Sequence, residues 1–178
     1  MRVFRHLPLA LAFLLSAHLL HAQKEQRPIL TEPQIEQIRE AGIDPPARIK
    51  LYTEFVDERI ETIKGLTTRA RSGARVIRLD NELHDLTALM DELGSNLDQY
   101  GDRKADLRKA LKPLTEATQR WIDVLHALPT EPGFDLSLKE AIESEKDLAD
   151  EAAQMLKDQT AYFAVHKDQK GQERAEPE

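Results

Sequence analysis

Val76 to Tyr100, VIRLDNELHDLTALMDELGSNLDQY, is the stretch that decides the fold. Val76, Leu79, Leu83, Leu86, Met90, Leu93, Leu97 and Tyr100 recur at alternating spacings of three and four, so a helix carries them all on one stripe. A stripe held in register over that length must be covered by apolar surface along the whole helix, as bundles and coiled coils do. The chain has almost no two-residue alternation of the kind a half-buried strand shows, and glycine is scarce. The expectation is an all-α protein: a short N-terminal helix followed by an antiparallel up-and-down four-helix bundle over residues 44–167.

Upstream of this helix, which should begin near Ala74, Ser72-Gly73 reads as the break, either a tight hairpin or a kink in one continuous helix. Asp44 and Pro45 spell a cap and a first-turn proline. They predict a second long helix to about Arg71, buried through Ile49, Tyr52, Phe55, Val56, Ile60, Ile63 and Leu66. Before it, residues 23–43 hold a short helix with explicit ends. Thr31 and Gln34 have the spacing of a capping box, Leu30 and Ile35 that of a hydrophobic staple. Gly42 reads as a left-handed stop that would bring Ile43 against Ile38.

Downstream, Gly101 and Asp102 read as a stop and a new cap. The rhythm resumes through Leu107, Leu111, Leu114, Thr118, Trp121, Leu125 and Leu128 without losing register at Pro113, which predicts a kink rather than an end. Pro129 to Gly133 is a loop, and Ser137 with Glu140 forms a second capping-box spacing that opens a fifth helix to about Lys167. Its buried set is Leu138, Ile142, Leu148, Ala152, Met155, Leu156, Tyr162 and Phe163, with Glu145 and Gln159 falling on or beside the seam. Residues 168–178 are charged, lack a periodic apolar set and are expected to be disordered.

The N-terminus places the chain in a compartment. Arg2 and Arg5 precede an apolar run from Leu7 to Leu20, and Ala22 offers a small residue at a cleavage point, the pattern of a secretory signal peptide over residues 1–22. The run is shorter than the roughly 20 residues a membrane span needs. The expected product is exported, periplasmic or extracellular, with no transmembrane anchor after cleavage. Losing Arg2 and Arg5 moves the formal net charge from −7 to −9. An acidic chain with few aromatics and no basic stripe has no general attraction for nucleic acid. With no cysteine, disulfides, thiolate metal sites and a nucleophilic thiol are excluded.

Catalytic, cofactor and metal constellations are absent from the sequence pattern: no G-x-S-x-G elbow, no glycine-rich phosphate loop and no H-E-x-x-H pair. Asp123 with His126 is the nearest approach to a metal-binding pair, but both fall outside the seam. His84 sits one position past a core residue, and His166 lies at a helix C-terminus, where an imidazolium is favoured electrostatically. Charge layout says more. Arg69, Arg71, Arg75 and Arg78, with Lys64, make a segment without acids, whereas Glu131 to Glu151 is strongly acidic and includes Asp135, Glu140, Glu143 and Glu145. In an up-and-down bundle both lie at the same end. They either pair internally or leave the arginines as a partner-facing patch.

Leu30-Thr31-Glu32-Pro33-Gln34 resembles the LTxxQ motif of the Spy-like periplasmic proteins, small exported helical proteins that include an ATP-independent chaperone. That family typically carries the motif twice. The second candidate here, Leu114-Thr115 with Gln119, has one residue too many. The resemblance implies a chaperone-like role in the cell envelope, with Leu30, Thr31 and Gln34 as motif positions. The functional expectation is a non-enzymatic interaction or chaperone-like protein, a monomer or homodimer without cofactor whose partner is another protein. The alternative is a small-molecule or metal-binding bundle in which Glu145, Gln159 and a histidine converge in the core.

Overall fold

The computed structural model describes residues 28–103 and 105–169, so the expected signal peptide and the tail from residue 170 lie outside the described residues. Five helices, α1 (Glu32–Glu40), α2 (Pro45–Thr67), α3 (Gly73–Asp102), α4 (Arg108–His126) and α5 (Asp135–Val165), account for the regular structure, with no strand among the described residues. A 3₁₀ turn, Lys167–Gln169, follows α5 and takes in the first two residues of the expected tail.

The helix starts at Thr31 and Asp44 form as their sequences predict. Gln34 N–H donates to the Thr31 hydroxyl at 3.4 Å while Thr31 N–H donates to Gln34 Oε1 at 2.9 Å, completing the capping box. Asp44 Oδ1 accepts from Ala47 N–H at the start of α2. Gly42 is left-handed, with φ +59°. Ile43 nevertheless does not fold back on Ile38: it is 94% exposed. The turn runs straight from Ala41 into the Asp44 cap, and Ile43 is left on its outside.

Other element ends depart from expectation, each for a local or tertiary reason. Helix α2 stops at Thr67 rather than Arg71. The Thr67 and Thr68 hydroxyls donate to the Lys64 and Gly65 carbonyls at 2.7 and 2.9 Å, side-chain bonds of the kind that compete with a continuing helix. Ser72 caps α3, accepting from Arg75 N–H at 3.2 Å, so α2 and α3 are separate helices rather than one kinked rod. Helix α3 runs through Gly101 to Asp102, which is therefore not a cap. Glycine at position 101 serves the close approach of α5 rather than a helix stop: a Cβ on it would stand 3.1 Å from the Met155 methyl. Helix α4 starts only at Arg108 and continues through Pro113. Helix α5 begins at Asp135, two residues before the expected Ser137 cap. Phe134 is buried at its N-cap position, and Ser137 is drawn inside the first turn.

Packing follows the seams. The α2 seam residues and Leu79 to Tyr100 of α3 are all buried, as are Leu111, Leu114, Trp121 and Leu125 of α4; Val76 and Leu128 are partly so. Helix α2 packs on α3 and α4, and α5 packs on α3 and α4; among the described residues the backbones of α3 and α4, and of α2 and α5, do not approach as neighbours. The four long helices thus form a bundle with α3 and α4 on one diagonal. The α3–α4 connection has to cross an end of the bundle, and it is itself buried at Ala105 and Leu107. Gln159 of α5 holds it, donating to the Ala105 carbonyl at 2.9 Å and accepting from Leu107 N–H at 2.8 Å. Helix α1 lies against α2, where Gln34 Nε2 donates to Glu58 at 3.0 Å.

Candidate functional site

A groove of about 590 Å³ lies between α2 and α4, lined by Pro46, Ala47 and Thr53 on one side and Ala110 and Pro113 on the other. Small side chains on both helices leave the gap. Thr53 donates its hydroxyl to the Ile49 carbonyl at 2.8 Å, so its polar atom is already engaged. Lys50, Glu54, Lys109, Glu116 and Arg120 surround this floor, a rim of mixed charge. At its far end Trp121, fully buried, donates its indole N–H to Asp57 at 2.6 Å and locks α4 to α2. The sequence reading did not find this groove. Its residues are small or charged and lie off the seams, and only the juxtaposition of α2 with α4 makes them a surface.

The basic segment divides. Arg75 is buried and pairs with Glu131 at 2.5 Å, while Arg71 reaches the same carboxylate at 3.5 Å from a largely exposed position. Arg78 approaches Glu82 of its own helix at 3.9 Å, and Arg69 is exposed. The acids expected to answer them lie elsewhere: Glu140 stands 3.9 Å from His84, and Glu145 is in the core. A single acid on the α4–α5 loop therefore serves the buried arginine, and the charge runs overstated the network.

His84 meets a serine and two acids. Its Nε2 lies 3.2 Å from Ser137 Oγ and its Nδ1 3.9 Å from Glu140. Ser137 Oγ, however, donates to Asp80, and the residue is 2% exposed. Its proton is directed to a carboxylate rather than the imidazole, and the hydroxyl is closed to a substrate. The cluster clasps α3 to α5. Sequence spacing could not show this, since Ser137 and His84 lie 53 positions apart.

The two polar seam residues of α5 are buried as their positions require, but they do not converge. Gln159 binds the crossing connection, roughly 20 Å along the helix from Glu145 at 1.5 Å per residue. His84 and His126 are exposed, and His166 stacks on Tyr162 at 4.0 Å. Among the described residues no group of three or more histidines and carboxylates is placed to hold a metal ion, and no helix is long and apolar enough to cross a membrane. Glu145 is 1% exposed, and burial pushes its carboxyl up to about 7, helped by Asp150 and Asp123 against Lys146. Glu151 is also pushed up to about 7 by burial, with Asp98 adding charge and a hydrogen bond.

The motif positions have structural roles: Thr31 and Gln34 make the capping box, and Leu30 packs partly on the core beside Ile35, Tyr52 and Leu89. No protein-family model, no curated protein and no solved structure matches the chain.

Proposed function

We propose that the chain is an exported, non-enzymatic helical-bundle protein with a chaperone-like or interaction role in the cell envelope, holding an amphipathic segment of a client protein in the α2–α4 groove. The groove carries this reading. Its apolar floor of small residues admits a close-packed chain, while a rim bearing both charge signs suits segments of varied sequence. The signal-peptide pattern at residues 1–22 and the LTxxQ resemblance at Leu30, Thr31 and Gln34 point to the same role.

We also infer that the bundle runs up, down, up, down. Opposite senses for α2 and α3 are supported by Tyr52 meeting Glu92 while Arg59 meets Glu82. For α4 and α5, the support is Gln159 at Leu107 and Asp123 near Glu145. Helices α2 and α4 share a sense on this reading, which agrees with Ala47 and Ala110 at one end of the groove and Asp57 and Trp121 at the other.

The test is suppression of aggregation of a chemically unfolded protein. The wild type is expected to suppress it at comparable molar amounts. Ala47→Trp with Pro113→Trp, both lining the groove and neither in the buried core, should abolish suppression while leaving helical content unchanged. Undiminished suppression by the filled variant, or none by the wild type, overturns the reading.

A further inference from the structure

Helix α5 carries two carboxyl groups in positions that suit the neutral acid and not the anion. Glu145 is almost completely buried, its Oε1 has no hydrogen-bond partner, and it joins no ion pair among the described residues. Glu151 likewise has an unpartnered, buried Oε1, and its Oε2 lies 3.2 Å from where a Cβ on Gly94 would stand, close against the α3 backbone. Asp98 of α3 stands near Glu151, and its negative charge further disfavours the Glu151 anion. Six residues apart, the two glutamates sit about 120° apart around α5. Asp123 of α4 acts on Glu145, and Asp98 of α3 acts on Glu151.

The surrounding charges do little to help ionisation. Lys146, exposed on α5, favours the Glu145 anion, but Asp150 and Asp123 oppose it. Around Glu151 the neighbours are acids: Asp98 and Asp91 of α3, with Asp147 of α5, line the same hollow. An uncompensated buried carboxylate is costly, so the group either holds its proton or leaves the interior.

We propose that Glu145 and Glu151 make the seating of α5 against α3 and α4 pH-dependent: the helix is held while both are neutral and loosens as they ionise. Their carboxyls are raised from 4.5 to about 7. The folded state therefore binds more protons than the unfolded chain between those values. The stability they contribute is complete below the unfolded value and is lost as pH rises through about 7. An exported protein meets such external pH changes directly, and α5 would report them to the crossing connection through Gln159.

The experiment is urea unfolding of the full chain from pH 5 to pH 8, with hydrogen exchange of α5 amides and carbon-13 titration of the glutamate carboxyls. For the wild type, the folded-to-unfolded ratio should fall on the order of 100-fold per carboxyl over this range. Protection along α5 should fall with it, and two glutamates should titrate near neutrality. The variant Glu145→Gln, Glu151→Gln should lose this dependence and keep its acid-pH stability at pH 8. A wild type of constant stability, an equal decline in the variant, or all glutamates titrating in the ordinary carboxylate range would each overturn the proposal. The titration uses the wild type alone, so it decides even if the variant fails to fold.

Discussion

Gln159 replaces, with one side chain, two backbone partners that the crossing connection lacks. Its amide donates to Ala105 and accepts from Leu107, the pattern a neighbouring peptide unit would offer. Gln159→Leu should therefore cost more than a lost hydrogen bond, because it strands a buried carbonyl and a buried N–H, each worth about 1–3 kcal/mol. We expect a lower melting temperature and faster exchange at Leu107, with helix content otherwise kept. Gln159 was legible as an anomaly, a polar residue on an apolar stripe, but nothing in its surroundings names a partner more than 50 positions away. The same holds for Ser137, a polar residue buried by a contact with Asp80 that no periodicity encodes. Seam leucines were legible for the opposite reason. Apolar burial needs no particular partner, only a shared face.

At the scale of the element, interiors could be read, and so could the ends set by local signals. Capping boxes and proline at the first turn act within four residues, so Thr31 and Asp44 open helices as their sequence predicts. The end of α3 beyond Gly101 and the start of α5 at Phe134 depend on packing against other elements, which local signals do not contain. Glycines make the distinction measurable. Gly65 lies within α2 with open space where a Cβ would go, so Gly65→Ala should stabilise by about 0.4–1 kcal/mol. Gly133 has φ +106°, and a Cβ there would come within 2.7 Å of Val76 Cγ1. Gly133→Ala should destabilise by more than the roughly 1–2 kcal/mol that a left-handed backbone costs a residue with a Cβ. Paired denaturant melts check both signs, and a stabilised Gly133→Ala would contradict the described loop. The groove between α2 and α4 belongs to this scale too: its residues are visible in sequence, while the adjacency that makes them a site is not.

In the whole molecule the α3 seam, expected from the sequence to pack against the chain's other long helices, is covered by α2 and α5 of the same chain. Sedimentation should accordingly give a monomer at micromolar concentration, and a dimer abolished by Leu93→Glu with helicity retained would contradict that burial. The diagonal placement of α3 and α4 sets how the chain is divided. Helices α2 and α3 are consecutive and packed together, as are α4 and α5, whereas the contacts of α2 with α4 and of α3 with α5 join one pair to the other. The chain is therefore two locally closed halves connected covalently only around residues 103–107. Two molecules that opened at this joint could rebuild every contact by trading halves, the route by which domain-swapped dimers form. Opening the joint would have to break both hydrogen bonds by which Gln159 ties it to α5.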